Sequence, residues 1–245
     1  MRIIAMHKTN AHNEAGHPPP PELMSAMGQL VGSMMQKGVL VATEGLCPSS
    51  QGARLTFLKG KRTVSPGPLR GENELMAGFG ILRVRNLDEA IEWATKFAET
   101  IGDTVIDVRP VTEPWDIGAS PKPDGITTMR FMAARKADRA TESGATPSQE
   151  AMARTDALLQ KMKKAGVLVA SVGLAPSSQG ARVRFSNGSR TVIDGPFTES
   201  KELIAGYAVL EAPSTKDAIE LSAAFAKIIG DVEIDFLPIM AMEVH

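Results

Sequence analysis

The chain has 245 residues but one cysteine, one tyrosine and two tryptophans, and aromatic residues make up only 4% of it. A lone Cys47 excludes an intrachain disulfide, and no paired-cysteine motif is present. Cys47 matches Ala175 in the repeat described below, so it reads as a small buried residue rather than a nucleophile. No GxGxxG or GxxxxGK loop occurs to cradle a phosphate, and no cofactor is expected. Nothing approaches the run of about 20 apolar residues that a membrane helix requires. The first residues lack the apolar core of a secretory leader, so the expected location is cytoplasmic. A formal net charge of −1 gives no electrostatic reason to expect nucleic acid or anionic membrane as partner. His7, His12 and His17 recur every five residues, which suits neither a helix face nor a strand face. They read as loop histidines, and no metal site is expected.

What the sequence does contain is itself, twice. Shifting it by 128 residues lays residues 1–117 onto 129–245 without a gap, and roughly two in five positions are identical, too many for chance. "GVLVATEGLCPSSQGAR" returns as "GVLVASVGLAPSSQGAR", and Asp107, Gly78 and Pro110 meet Asp235, Gly206 and Pro238. Units of this size are domains, not solenoid repeats. We expect one over 1–111 and one over 129–245, joined by a Pro-, Gly- and Thr-rich connection over 112–128.

The second copy shows its elements most clearly. "MRFMAAR" is a short apolar strand. A helix follows, with Thr146 and Gln149 placed for a capping box, Pro147 at its first position and Gly166 at its end. "VLVASVGL" is a strand, and "ARVRFSNGSRTVI" is a hairpin turning at Asn187-Gly188. "LIAGYAVLEA" is the next strand, then a helix capped by Ser214, then the closing strand "VEIDFLPI". Strand, helix, strand, hairpin, strand, helix, strand is a ferredoxin-like α+β order. Both helices cover one sheet face, leaving the other apolar and bare. Two such units seal those faces against each other.

"DGPF" at Asp194–Phe197, inside "DGPFTESKELIAGYAVLEAPSTKDAIELSAAFAK", resembles the YCII-related, or DGPF, family. The likeness spans nearly all of the second copy, and the first copy follows it except at the tetrapeptide, where "PGPL" stands. The resemblance implies a dimeric α+β barrel, here built within one chain as a pseudo-dimer, with room for a further homodimer. Family members generally lack an established activity, and some are proposed as enzymes through a His–Asp pair in a cleft. That pair does not carry over, because neither first helix holds a histidine and Pro66 stands where the second copy has Asp194.

Asp194 is the candidate catalytic group, as a base or acceptor at the cleft mouth, or else a turn residue whose carboxylate bonds local backbone. The fold does not demand an acid there, since Pro66 takes the same place. Tyr207, the only tyrosine, is a candidate ligand-orienting phenol or a core aromatic. Arg54 and Arg182 follow "PSSQG" and could hold an anionic or carbonyl ligand, or lie on a strand's outer face. The serines of the two "PSSQ" segments read as turn residues. Two functions remain open. The first is binding, or turnover, of an unidentified small molecule in the cleft between the halves. The second is a non-catalytic accessory or regulatory module that binds protein, a reading to which the family's frequent encoding beside alternative sigma factors is relevant.

Overall fold

A computed structural model describes residues 1–197 and 201–244. The first copy contains β1 (Arg2–Lys8), α1 (Ala11–Glu14), α2 (Pro21–Gln36), β2 (Leu40–Gly45), β3 (Ala53–Leu58), β4 (Lys61–Pro66), β5 (Met76–Val84), α3 (Leu87–Ile101) and β6 (Thr104–Pro110). The second repeats it as β7 (Met129–Lys136), α4 (Arg139–Glu142), α5 (Gln149–Lys164), β8 (Leu168–Leu174), β9 (Ala181–Ser186), β10 (Ser189–Asp194), β11 (Ile204–Glu211), α6 (Thr215–Ile229) and β12 (Val232–Val244). Both hairpins turn through two residues with positive φ, Lys59-Gly60 and Asn187-Gly188, as tight hairpins of right-twisted strands require. Ser214 caps α6 by accepting from the Asp217 N–H at 3.2 Å. The cap of α5 is not Thr146 but Ser148, which accepts from the Ala151 N–H and starts the helix after Pro147. A serine directly before the first turn reaches its free N–H groups, and a threonine two residues earlier does not.

The copies do not build separate sheets. One sheet runs β10-β9-β12-β1-β11-β2 and the other β4-β3-β6-β7-β5-β8, every pair antiparallel. Strand β1 thus lies between two strands of the second copy, and β7 between two strands of the first. Each copy has exchanged its first strand–helix–strand segment with the other. The helices follow, so that α2 packs beside α6 and α3 beside α5. Strands β1 and β7 begin alike, "MRIIAMHK" and "MRFMAARK", so either fits either slot. Beyond its pairing with β1, β12 runs on to pair with β8 of the second sheet. On the opposite side Leu46 bridges Val111, and the Thr112 N–H donates to the Gly45 carbonyl at 2.9 Å.

Alternation along the strands sorts apolar side chains into three cores. Ile4, Met6, Phe79, Ile81, Met132, Val172, Tyr207 and Val209 meet between the sheets. Leu55, Leu82, Ala94, Ile106, Phe131 and Met162 lie under α3 and α5, while Ile3, Val183, Leu210, Ile219 and Phe236 lie under α2 and α6. Each fully buried Ile, Leu or Phe contributes roughly 1.5–3 kcal/mol. The bare sheet face expected from the sequence is therefore covered by the other sheet, each sheet drawing strands from both copies.

Candidate functional site

The residues that alternate with the helix-facing core point inward, and several are charged. In register with Ala181–Phe236, Arg182 lies opposite Asp235. Its Nε and Nη2 donate to the two carboxylate oxygens at 2.6 and 3.0 Å. Lys8, brought in by β1, donates to the same carboxylate at 2.7 Å, and both partners are almost wholly buried. Burial alone raises the pKa of Asp235, but the hydrogen bond from Arg182 and the charges of Lys8 and Arg182 outweigh it and hold it below the usual carboxylate value.

The pseudo-equivalent group is Arg54, Asp107 and Lys136. Arg54 bonds Asp107 at 2.7 and 2.9 Å, Glu74 at 3.0 Å and the Arg70 carbonyl at 2.9 Å. Lys136 lies 2.8 Å from Asp107 and also touches Glu74. Burial, then the positive charges of Arg54 and Lys8, push the Lys136 pKa down to about 6, with the Glu72 carboxylate opposing. Two carboxylates lie at bonding distance of its Nζ and complete the cluster. Arg109 has no charged counterpart, because Leu237 takes its place in the second copy. It donates to the Ile204 carbonyl at 2.7 Å, the Cys47 carbonyl at 2.5 Å and Glu14 at 3.3 Å. Beside it, Lys136 and Glu74 lies a cavity of only about 20 Å³. That is room for one water, not for a substrate. Burial pushes the Cys47 thiol up, which disfavours a nucleophilic thiolate.

Of the residues expected from the sequence, Arg182 and Arg54 sit in these two ion clusters, and the guanidinium of Arg182 also stacks 4.6 Å from the Phe197 ring. They face the interior, not a strand's outer side. Tyr207 is buried, with its ring 4.8 Å from Phe79, and burial raises its phenol pKa. Asp194 ends the exposed edge strand β10 opposite Ala181 and lines neither cavity. The structure brings it together with neither Tyr207 nor Arg54. The turn that follows it has a different partner. The Gly195 N–H donates to the Gly180 carbonyl, and the Phe197 N–H donates to the buried Ser177 hydroxyl at 3.2 Å. Gly67 and Leu69 repeat both bonds to Gly52 and Ser49. "PSSQG" and "xGP" are therefore two halves of one clasp, and Glu142 and Glu14 anchor it at the Ser177 and Ser49 N–H groups.

A second space among the described residues is large enough for a small molecule. A cavity of about 320 Å³ opens between the sheet of β5, β7 and β8 and the helices α3 and α5. Because of the strand exchange, both copies wall it. Phe79, Trp93 and Phe97 come from the first, and Leu159, Met162 and Arg135 from the second. Reading the sequence missed Lys8, Lys136, Asp107, Asp235 and Glu74, although the repeat held a signal: Lys8 and Asp107 return at the same strand positions as Lys136 and Asp235, and Glu74 returns as Glu202. His7 is not a loop residue; it lies in β1 with its ring 5.2 Å from Phe225, and burial lowers its pKa to about 4.

A family model described as YCII-related domain matches residues 1–115 and 129–228. An uncharacterized protein of Rhizobium meliloti (strain 1021) is 31% identical over 74 residues, 30% of this chain and 60% of that protein. The chain thus spans less than two thirds of that curated relative's length. No solved structure matches the chain.

Proposed function

The chain belongs to the YCII-related domain family, and from that premise we propose that it is a small-molecule-binding protein. Its two copies complete each other as ferredoxin-like lobes closed into one dimeric α+β barrel. Closure rests on the β12–β8 pairing at one side and the Leu46–Val111 bridge at the other. The ligand occupies the cavity between α3, α5 and their sheet. The observation that carries this reading is the volume of about 320 Å³, within the roughly 300–1,000 Å³ usual for ligand pockets, and apolar walls with a few polar groups. The ion clusters of Arg54 and Arg182 serve to hold the strands together, since their charges are paired, and the space beside Asp107 and Glu74 admits only water. Exposed Asp194 has no acid–base task in this reading.

Titration with the neutral apolar fluorophore N-phenyl-1-naphthylamine tests it. We expect saturable binding of one probe per chain, lost in Ala133→Leu, which fills the cavity from its floor, at unchanged circular dichroism. Equal binding by that variant defeats the reading. The second reading, a protein-interaction module, draws on β10, an edge strand with exposed Val192 and Ile193. It gains if Val192→Lys abolishes capture of an extended partner segment while the fluorophore still binds nowhere.

A further inference from the structure

Among the described residues, the place that matches this cavity on the other sheet holds a histidine ring. In the sheet containing β1, His7 stands opposite Gly206, and its ring fills the space under α6. A Cβ on Gly206 would lie 2.9 Å from the His7 Cε1. In the other sheet Arg135 takes the place of His7, opposite Gly78, and the space stays open. The floor is bare as well. Gly80 stands where the second copy has Ala208, and a Cβ there would meet Leu168 and Leu82 at an ordinary 3.7 Å and the Ala170 carbonyl at 3.8 Å. At Gly173 the nearest contact would be 3.8 Å. Neither packing nor a positive φ calls for glycine at these two positions; their effect is to leave a flat strip of peptide. Trp93 and Phe97, one turn apart on α3, line the cavity from the helix side. A flat slot between peptide planes and aromatic rings suits a ring better than a flexible chain.

The polar groups restrict the ligand further. Among the described residues, the buried Nε of Arg135 has no hydrogen-bond partner, and its Nη2 donates to Asp138 at 3.1 Å. An unused buried donor is costly and calls for an acceptor. Yet the guanidinium already has a carboxylate beside it, and Asp156 and Glu243 also line the cavity. A further anion would enter a cavity whose lining already holds two carboxylates, beside a cation that already has its own. Resting on the reading of this cavity as the ligand site, we propose that it takes a planar aromatic molecule carrying an uncharged carbonyl oxygen, which accepts from Arg135 Nε.

Trp93 makes the test direct. The chain has two tryptophans, so Trp115→Phe leaves Trp93 as the sole indole reporter inside the site. In that protein the emission of Trp93 is titrated with 2-acetonaphthone, with 2-ethylnaphthalene, which lacks the acceptor, with 2-naphthoate, which is charged, and with nonan-2-one, which lacks the ring. We expect 2-acetonaphthone to bind about tenfold tighter than any other, the worth of one buried hydrogen bond. Arg135→Met should bring its affinity down to that of 2-ethylnaphthalene and leave the latter unchanged. Gly80→Ala, which installs the residue found in the other copy, should weaken 2-acetonaphthone and 2-ethylnaphthalene at least about fivefold by raising the floor. Tighter binding of 2-naphthoate or nonan-2-one overturns the ligand class and leaves the site standing. Absence of binding by all four overturns both.

Discussion

Gly195 lies against the backbone of Ser177 so closely that a Cβ on it would stand 1.7 Å from the Ser177 carbonyl oxygen. Gly67 and Ser49 repeat the contact at 1.9 Å. This is why "PSSQG" and the glycine of "DGP" both occur twice: each needs the other, and the residue ahead of the glycine is free to be Asp194 or Pro66.

Gly195→Ala should therefore destabilise the protein by more than about 3 kcal/mol, since two backbones would have to separate. Gly28→Ala is the contrast. Gly28 sits inside α2 with nothing within 4 Å of its would-be Cβ, and alanine there should add about 0.5–1 kcal/mol. Urea unfolding of both variants checks the pair; a mild Gly195→Ala refutes the clasp.

Asp235→Asn should cost about 3–5 kcal/mol, because it leaves buried Lys8 and Arg182 without their shared anion. Glu211→Gln, which breaks the half-exposed pairs with Arg2 and the N-terminus, should change stability by less than about 1 kcal/mol. Since Asp235 is held below its ordinary value of 3.8, its contribution is complete above that pH and is lost as the pH falls further. Comparing unfolding at pH 5 and pH 3 shows this, and a wild type and Asp235→Asn that lose equal stability over that range speak against it.

His7 titrates near 4 in the fold against 6.5 ordinarily, so the unfolded chain binds its proton more tightly. Stability is complete above about pH 6.5 and falls towards pH 4, by roughly 3 kcal/mol at most from this residue. His7→Leu should flatten that slope. A thermal-melt series from pH 7 to pH 4.5 that is identical for the two proteins counts against burial as the cause.

Residues 1–117 alone carry β1 and β2 without β11 and β12, the strands that pair with them here. The isolated segment should be unfolded or associate in pairs that repeat the exchange. Light scattering at micromolar concentration decides; a stable, folded monomer would show that each copy closes on its own sheet.

Element order was legible because strand alternation, helical periodicity and turn residues act over a few neighbours. Asn187-Gly188 and Ser214 could be read directly from their own surroundings. The clasp was only half legible: the serines announced a turn, but their partner lies 20 residues away across a loop. Arg54 and Arg182 were picked out for their chemistry, whereas Asp107 and Asp235, which neutralise them, stood in plain strands and drew attention only as matched letters. The cavity left no mark at all. It arises where Arg135 replaces His7 and Gly80 replaces Ala208, and either exchange looks like ordinary divergence until the walls around it are assembled.

By itself the sequence determined that one α+β frame is written twice and that each copy leaves an apolar sheet face in need of cover. It did so because periodicity and turn chemistry are local. Which copy supplies β1 and β7 to which sheet was decided only in three dimensions. The two strands are near duplicates with the same pattern of apolar residues, so local preference is equal for both slots, and contacts among strands far apart in the chain break the tie.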